Sequence, residues 1–281
     1  MERSLHVTLP CGLLQANGQR ARDARLTPLT GRAEARAAEE SNPFRAALYL
    51  LCESLSRIGG FEAAEVDVAL LAGMYPVDRD FLLVQLSRLM FGDVIYQTVV
   101  CPETSCAKRV DLALDLRSLA ADSVEVSATR CFVLPDGRQG VLRLATAGDQ
   151  AELYGVAESE LEACFLARCM VPTDGCEAND WRSIPEGYRA RIVEESVRAA
   201  PTLDVDLDLV CVECGHDFSY VYEPLASLLS ELRQGRAGLR RDVHCIASHY
   251  HWSEREILNL TRAERRAYIE LIEADYPSAW S

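Results

Sequence analysis

The residues best suited to chemistry are four cysteines, and they come as two close pairs. Cys101 and Cys106 stand in "VVCPETSCAKRV", and Cys211 and Cys214 in "LVCVECGHDF". The spacings are C-x4-C and C-x2-C, both within the two-to-four-residue gap of structural zinc sites. Each pair lies between runs that read as strand. A tight turn between two strands can aim two thiolates at one point, and two such turns supply four sulfurs for a tetrahedral metal. The pattern therefore predicts a structural Zn2+ held by Cys101, Cys106, Cys211 and Cys214. Gly215 follows the second pair, where such a knuckle often needs a positive φ. Ala107 holds the corresponding place in the first pair, so that turn is expected to depart from the ideal, with its wider spacing as compensation.

Other chemistries compete for the same residues. A redox Cys-x-x-Cys needs a helix N-terminus to depress a thiol pKa, and both flanks here look like strand. A c-type haem needs Cys-x-x-Cys-His, but Gly215 separates Cys214 from His216. A zinc deaminase needs His-x-Glu and Pro-Cys-x-x-Cys, and neither is present. Four unligated core thiols remain an alternative, and His216 is an alternative fourth ligand. A zinc hydrolase would need an open coordination position carrying water, which four thiolates would close. Cys52, Cys164 and Cys169 fall in helix-forming runs and Cys131 in a strand, as small apolar residues. Cys11, Cys176 and Cys245 have no partner at metal spacing. His244, His249 and His251 in "HCIASHYHW" match no ligand pattern and read as packing and capping.

The elements that must position the cysteines follow from periodicity and punctuation. "DVIYQTVVC" and "CAKRVDLALDL" read as strands, the second with Val110, Leu112, Leu114 and Leu116 on one face. "TLDVDLDLVC" and "DFSYVYEP" repeat that organisation, which makes a weak internal repeat. "VEVSATRCFVLPDGRQGVLRLAT" reads as a hairpin around Pro135-Asp136-Gly137. Asn42 and Pro43 open a helix expected to run to Gly59-Gly60. A second helix is expected from Asp78 to Gly92. Asp149 with Glu152 reads as a capping pair, and "ESELEACFLARCMV" and "PEGYRARIVEESVRAA" as helices. After Pro224 the chain reads as helix, with capping boxes at Ser253/Glu256 and Thr261/Glu264 and a last helix carrying Ala267, Tyr268, Leu271 and Ile272. Residues 4–40 combine a strand at Leu5 to Leu9 with an Arg-rich polar segment that alone reads as a loop or arm.

The expected fold is thus α+β, with central antiparallel strands around a bipartite four-cysteine, zinc-ribbon-like site and helices at both ends. The expected regions are 1–40, an N-terminal strand and extended segment; 41–92, helical; 93–222, the zinc-stapled α+β core; and 223–281, helical. The chain has 281 residues and a net charge of −14. Such acidity disfavours nucleic acid, whose binding rests on Lys and Arg, and anionic membranes. A zinc-ribbon module reading nucleic acid would want a basic strip, but only Lys108 and Arg109 lie near the knuckles, beside Glu103, Asp111, Glu213 and Asp217. No run approaches ~20 apolar residues and no secretory signal is evident, so a cytoplasmic location is expected. No phosphate loop or nucleophile elbow appears, and no enzyme activity is expected.

"VTLPCGLL", "ARLTPLTGRAEARAAE", "PVDRDFLLVQLSRLMFGD", "CPETSC", "VLPDGRQGVLRLATAGDQAEL", "CVECGHDF" and "HYHWSEREILNLTRAERRAYIELIEADY" follow one another in this order. Together they resemble a family of phage tail baseplate proteins related to the T-even baseplate hub assembly proteins, found also in phage-like contractile injection systems. The resemblance spans almost the whole chain. It implies a non-catalytic structural or assembly role beside hub, spike and wedge proteins, in the cytoplasm or in a phage-like particle. It also implies that "LTPLTGR" is patterned rather than a free arm. Family members often carry both cysteine pairs, and Cys101, Cys106, Cys211 and Cys214 are the matching positions. The C-x4-C gap is wider than the tighter pairs the family leads one to expect.

Overall fold

β1 (Leu5–Leu14) turns back into β2 (Arg20–Leu26), and both are longer than their charge suggests, with the pairing interrupted between Thr8 and Leu13. Leu9, Cys11, Leu13, Ala24 and Leu26 are buried, while the intervening charges of β2 face outward. The strand expected at Leu5–Leu9 is present and longer, and the polar segment after it forms β2 and α1 rather than an arm, with Ala24 and Leu26 buried and Arg20 and Arg22 bonded to β1 carbonyls and Tyr75. The computed structural model describes residues 4–15, 18–119, 125–173, 176, 178, 180–203 and 205–275. Asn17 in the polar segment, Val124 at the start of the hairpin run and Asp204 in the "TLDVDLDL" run lie outside the described residues.

α1 (Gly31–Glu39) follows, capped by the Thr30 hydroxyl, and then α2 (Pro43–Ser54). The Asn42 side chain accepts from the Phe44 and Arg45 N–H groups, and Pro43 occupies the first turn, where its missing N–H costs nothing. α2 stops at Ser54, short of Gly59-Gly60. The next residues become β3 (Leu55–Ile58), paired with β2, and then β4 (Phe61–Glu62). The resulting sheet has the order β1-β2-β3-β4 and is antiparallel throughout. Strands therefore open the chain as well as filling its middle, and the α+β arrangement is a mixture rather than a strand core between helical ends.

After α3 (Val68–Ala72) comes α4 (Pro76–Phe91), which begins two residues before Asp78 and ends at Gly92, where φ is +98°. Asp78 is fully buried and its Oδ1 accepts the Cys11 N–H at 2.8 Å, tying α4 to an irregularity in β1. β5 (Val94–Val100) and β6 (Arg109–Asp115) form one hairpin, and β7 (Thr129–Val133) and β8 (Gln139–Arg143) another. α5 (Ala147–Leu153) opens on a capping box of Thr146 and Asp149, so Asp149 is the third-position partner rather than the cap itself. α6 (Glu158–Cys169) and α7 (Glu186–Arg198) pack under the β7–β8 hairpin around Phe165, Leu166, Ile184 and Ile192. β9 (Asp206–Val210) and β10 (Asp217–Val221) form the last hairpin.

α8 (Pro224–Tyr250) then crosses the molecule, followed by α9 (Glu254–Leu258) and α10 (Arg262–Asp275). Both capping boxes, Ser253/Glu256 and Thr261/Glu264, are present. Ile246, Ile257 and Ile272 are buried together, with Trp252 and Tyr268 against them. Ala267 and Leu271 instead face solvent, and the inward stripe of α10 is Arg265, Tyr268, Ile269 and Ile272. Arg265 is 1% exposed and donates to Glu34 (2.9 Å, 4% exposed), Asp242 (3.2 Å) and the Leu260 carbonyl (2.9 Å). Arg262 holds the other Glu34 oxygen at 2.9 Å. A buried guanidinium is tolerated only when its donors are matched in this way. Among the described residues, no helix is long and apolar enough to cross a membrane.

Candidate metal centre

The four cysteines sit at the tips of two similar hairpins. In the first, β5 and β6 pair in register up to Val100 opposite Arg109, and in the second β9 and β10 pair up to Val210 opposite Asp217. Beyond the last pair each chain makes a knuckle. The Cys101 N–H donates to the Lys108 carbonyl and the Cys211 N–H to the His216 carbonyl, both at 2.9 Å. Within the first turn the Cys106 and Ala107 N–H groups donate to the Glu103 carbonyl; within the second the Gly215 N–H donates to Cys211. Gly215 has φ +74° and Ala107 φ +46°. Ala107 thus adopts the same left-handed conformation as its glycine counterpart, and the two extra residues of C-x4-C do not relieve it of that. The expected departure is one of residue type, not of backbone path.

All four Sγ atoms lie within 4.8 Å of one another, close enough to hold a metal ion. Across the two hairpins, Cys101 lies 3.8 Å from Cys214 and Cys106 lies 3.9 Å from Cys211. Cys101 and Cys211 are buried, Cys106 is half-buried and Cys214 is exposed.

The electrostatics separate the thiols. Backbone N–H groups of Cys214 and Glu213 point at the Cys211 sulfur and lower its pKa to about 7. Cys214 receives the His216 N–H, but desolvation and its three neighbouring sulfurs outweigh that bond and push it up to about 12. Cys101 is raised as well, chiefly by desolvation. Sulfurs this close cannot all ionise beside one another without a compensating cation.

His216 is not drawn in with the sulfurs; its Nδ1 lies 4.0 Å from Glu103 across the two turns. His244 and His249 lie on α8, where His249 Nδ1 is 3.3 Å from the Cys245 carbonyl, and His251 ends that helix at φ +54°. The three are thus spread along a helix end rather than gathered into a site. Cys11, Cys52 and Cys169 stand apart, their thiols pushed up by burial to about 12, 11 and 11. In comparisons with known proteins, no family model, curated protein or solved structure matches the chain.

Proposed function

We propose that this protein is a non-catalytic structural or assembly component of the baseplate of a phage-like contractile tail or injection system, and that one structural zinc ion locks its two knuckle hairpins together. The observation that carries the metal part is the convergence of four sulfurs from turns more than 100 residues apart. Zn–S bonds of about 2.3 Å in a tetrahedron put neighbouring sulfurs about 3.8 Å apart; Cys101–Cys214 and Cys106–Cys211 stand at 3.8 and 3.9 Å, and all four sulfurs lie within 4.8 Å of one another. An all-thiolate tetrahedron selects soft or borderline metals over Ca2+ and Mg2+, which take oxygen. Four thiolates also leave no open position for an activated water, which favours a structural over a hydrolytic role. Cys101, Cys106, Cys211 and Cys214 would hold the ion, and it would supply cross-linking rather than catalysis.

The baseplate part rests on the order of motifs along the chain and on its acidity, which suits protein surfaces better than DNA. The partners would be hub, spike or wedge proteins. The test has two arms. Elemental analysis of purified protein should give one zinc per chain, lost in Cys211→Ser. Co-expression with the hub, spike and wedge proteins of the same cluster should give a complex that survives size exclusion. A chain that stays monomeric beside all of them refutes the assembly role, and a metal-free native protein refutes the zinc.

A further inference from the structure

The outer face of the N-terminal sheet carries a feature that neither the metal centre nor the core explains. It holds an open concavity of about 570 Å³. A row of side chains crosses its floor from strand to strand. His6 on β1 is paired with Arg25 on β2, Arg25 with Arg57 on β3, and Arg57 with Glu62 on β4. The two arginines thus stand directly opposite one another, both exposed, in a protein whose net charge is −14. Like charges at opposed positions of a sheet repel and destabilise it.

Neither guanidinium has its terminal nitrogens hydrogen-bonded to a carboxylate among the described residues. Arg25 donates to the Ser4 hydroxyl at 3.0 Å and has no carboxylate partner among the described residues. Arg57 uses its Nε on the Gly59 carbonyl at 3.1 Å. Its nearest carboxylates, Asp23 and Glu62, are 3.9 and 3.8 Å away, beyond hydrogen-bond reach. Its two terminal nitrogens have no hydrogen-bond partner among the described residues. Two open guanidinium forks facing one concavity are the arrangement that grips a planar or tetrahedral oxyanion.

We propose that this face is an oxyanion-binding site, in which Arg25 and Arg57 clasp a phosphate or carboxylate group between β2 and β3. The anion would bridge the two opposed guanidiniums, whose charge Asp23 and Glu62 balance only in part from 3.9 and 3.8 Å beside the Arg57 Nε. The site does not depend on zinc or on the assembly role.

Calorimetric titration of the full chain with inorganic pyrophosphate and, separately, with a short oligoglutamate peptide tests it. Binding of pyrophosphate alone would assign a phosphate ligand, and binding of the peptide alone an acidic segment of a protein; either supports the site. Arg25→Gln and Arg57→Gln should each weaken the binding about tenfold, and the double variant should abolish it. Arg117→Gln, an exposed arginine elsewhere already paired with Asp115, should leave it unchanged. Arg25→Lys and Arg57→Lys keep the charge without the fork and should fall in between, which keeps the test valid if a glutamine variant folds poorly. Absence of binding by both probes, or a double variant within about twofold of the native chain, overturns the proposal.

Discussion

If the four cysteines hold a metal as proposed, chelating it should loosen two turns and leave the rest of the chain folded. The structure says where. The amides that depend on the knuckles are those of Cys101, Cys106, Ala107, Cys211 and Gly215. They lie beyond the paired strands, and a two-stranded hairpin is marginal by itself. The bases of the same hairpins are anchored differently: Ile95, Leu114 and Tyr222 belong to the main core with Leu51 and Leu82. A metal present at 100 to 1,000 times its dissociation constant stabilises the closed site by about 2.7 to 4.1 kcal/mol. Opening of the tips should therefore be about 100 to 1,000 times more frequent without it. Hydrogen exchange read by mass spectrometry, with and without chelator, should show that loss of protection in residues 99–110 and 210–218. Peptides from α2 and α4 should change little. Cys211→Ser should reproduce the pattern without chelator, and Cys131→Ser, in the separate β7–β8 hairpin, should not. Unchanged tips would mean that no metal is held there. A uniform loss across α2 and α4 would refute the claim that the clamp acts locally.

Three further outcomes follow from other contacts. Glu34→Gln leaves the buried Arg265 with only the partly exposed Asp242 as a charged partner and should cost about 3 kcal/mol, whereas Arg262→Gln, on the exposed side of the same carboxylate, should cost no more than about 1 kcal/mol in urea unfolding. Burial alone would raise the Asp149 pKa, but hydrogen bonds from Arg143, the Thr146 N–H and Arg168 outweigh it and hold the carboxyl at about 2. Its folded pKa lies below the unfolded value, so it adds stability, on the order of 2 kcal/mol, that is full above about pH 5 and lost as pH falls toward 2; in Asp149→Asn the acid limb of a stability–pH curve should flatten by that amount. Ala107→Gly relieves a left-handed alanine at a gain of up to about 1 kcal/mol, or about fivefold in metal affinity by competition titration, and Gly215→Ala should move it the opposite way.

What could be read from the sequence was local. Gly92, Asn42-Pro43 and the two C-terminal capping boxes signal themselves within four residues, and each ends or starts a helix where expected. The cysteine pairs were readable because a knuckle is also local. The geometry of their meeting was not, since it depends on how two hairpins about 105 residues apart are set against each other. β2 did not signal itself because "RARDARL" buries only Ala24 and Leu26, while the half-buried Arg20 and Arg22 are held by the Gly12, Leu9 and Pro10 carbonyls and by Tyr75, partners that local sequence does not reveal. On α10 the expected Tyr268 and Ile272 do face inward, but Arg265 and Ile269 take the places expected of Ala267 and Leu271, because the inward stripe has the right helical period but begins with a charge. Glu34 and Asp242, both distant in sequence, with the Leu260 carbonyl make that charge acceptable inside.

The two long-range ties of this molecule differ in chemistry more than in reach. The Glu34–Arg265 pair joins residues 231 apart, and the cysteine cluster joins residues 105 and 113 apart. Loop-closure entropy grows only as the logarithm of length, so a twofold difference in span is worth about 0.6 kcal/mol. The ion pair needs a buried, dry contact between α1 and α10 and is indifferent to chelators and thiol reagents. The cysteine cluster needs four deprotonated sulfurs and a cation to reconcile them. A thiol-specific reagent should accordingly free the hairpin tips while the α1–α8–α10 contact persists, whereas Glu34→Gln should loosen the terminal helices while the sulfurs stay together. If either treatment released both regions at once, the two ties would be one cooperative unit, and the division of the fold into a metal-dependent tip and a metal-independent body would fail.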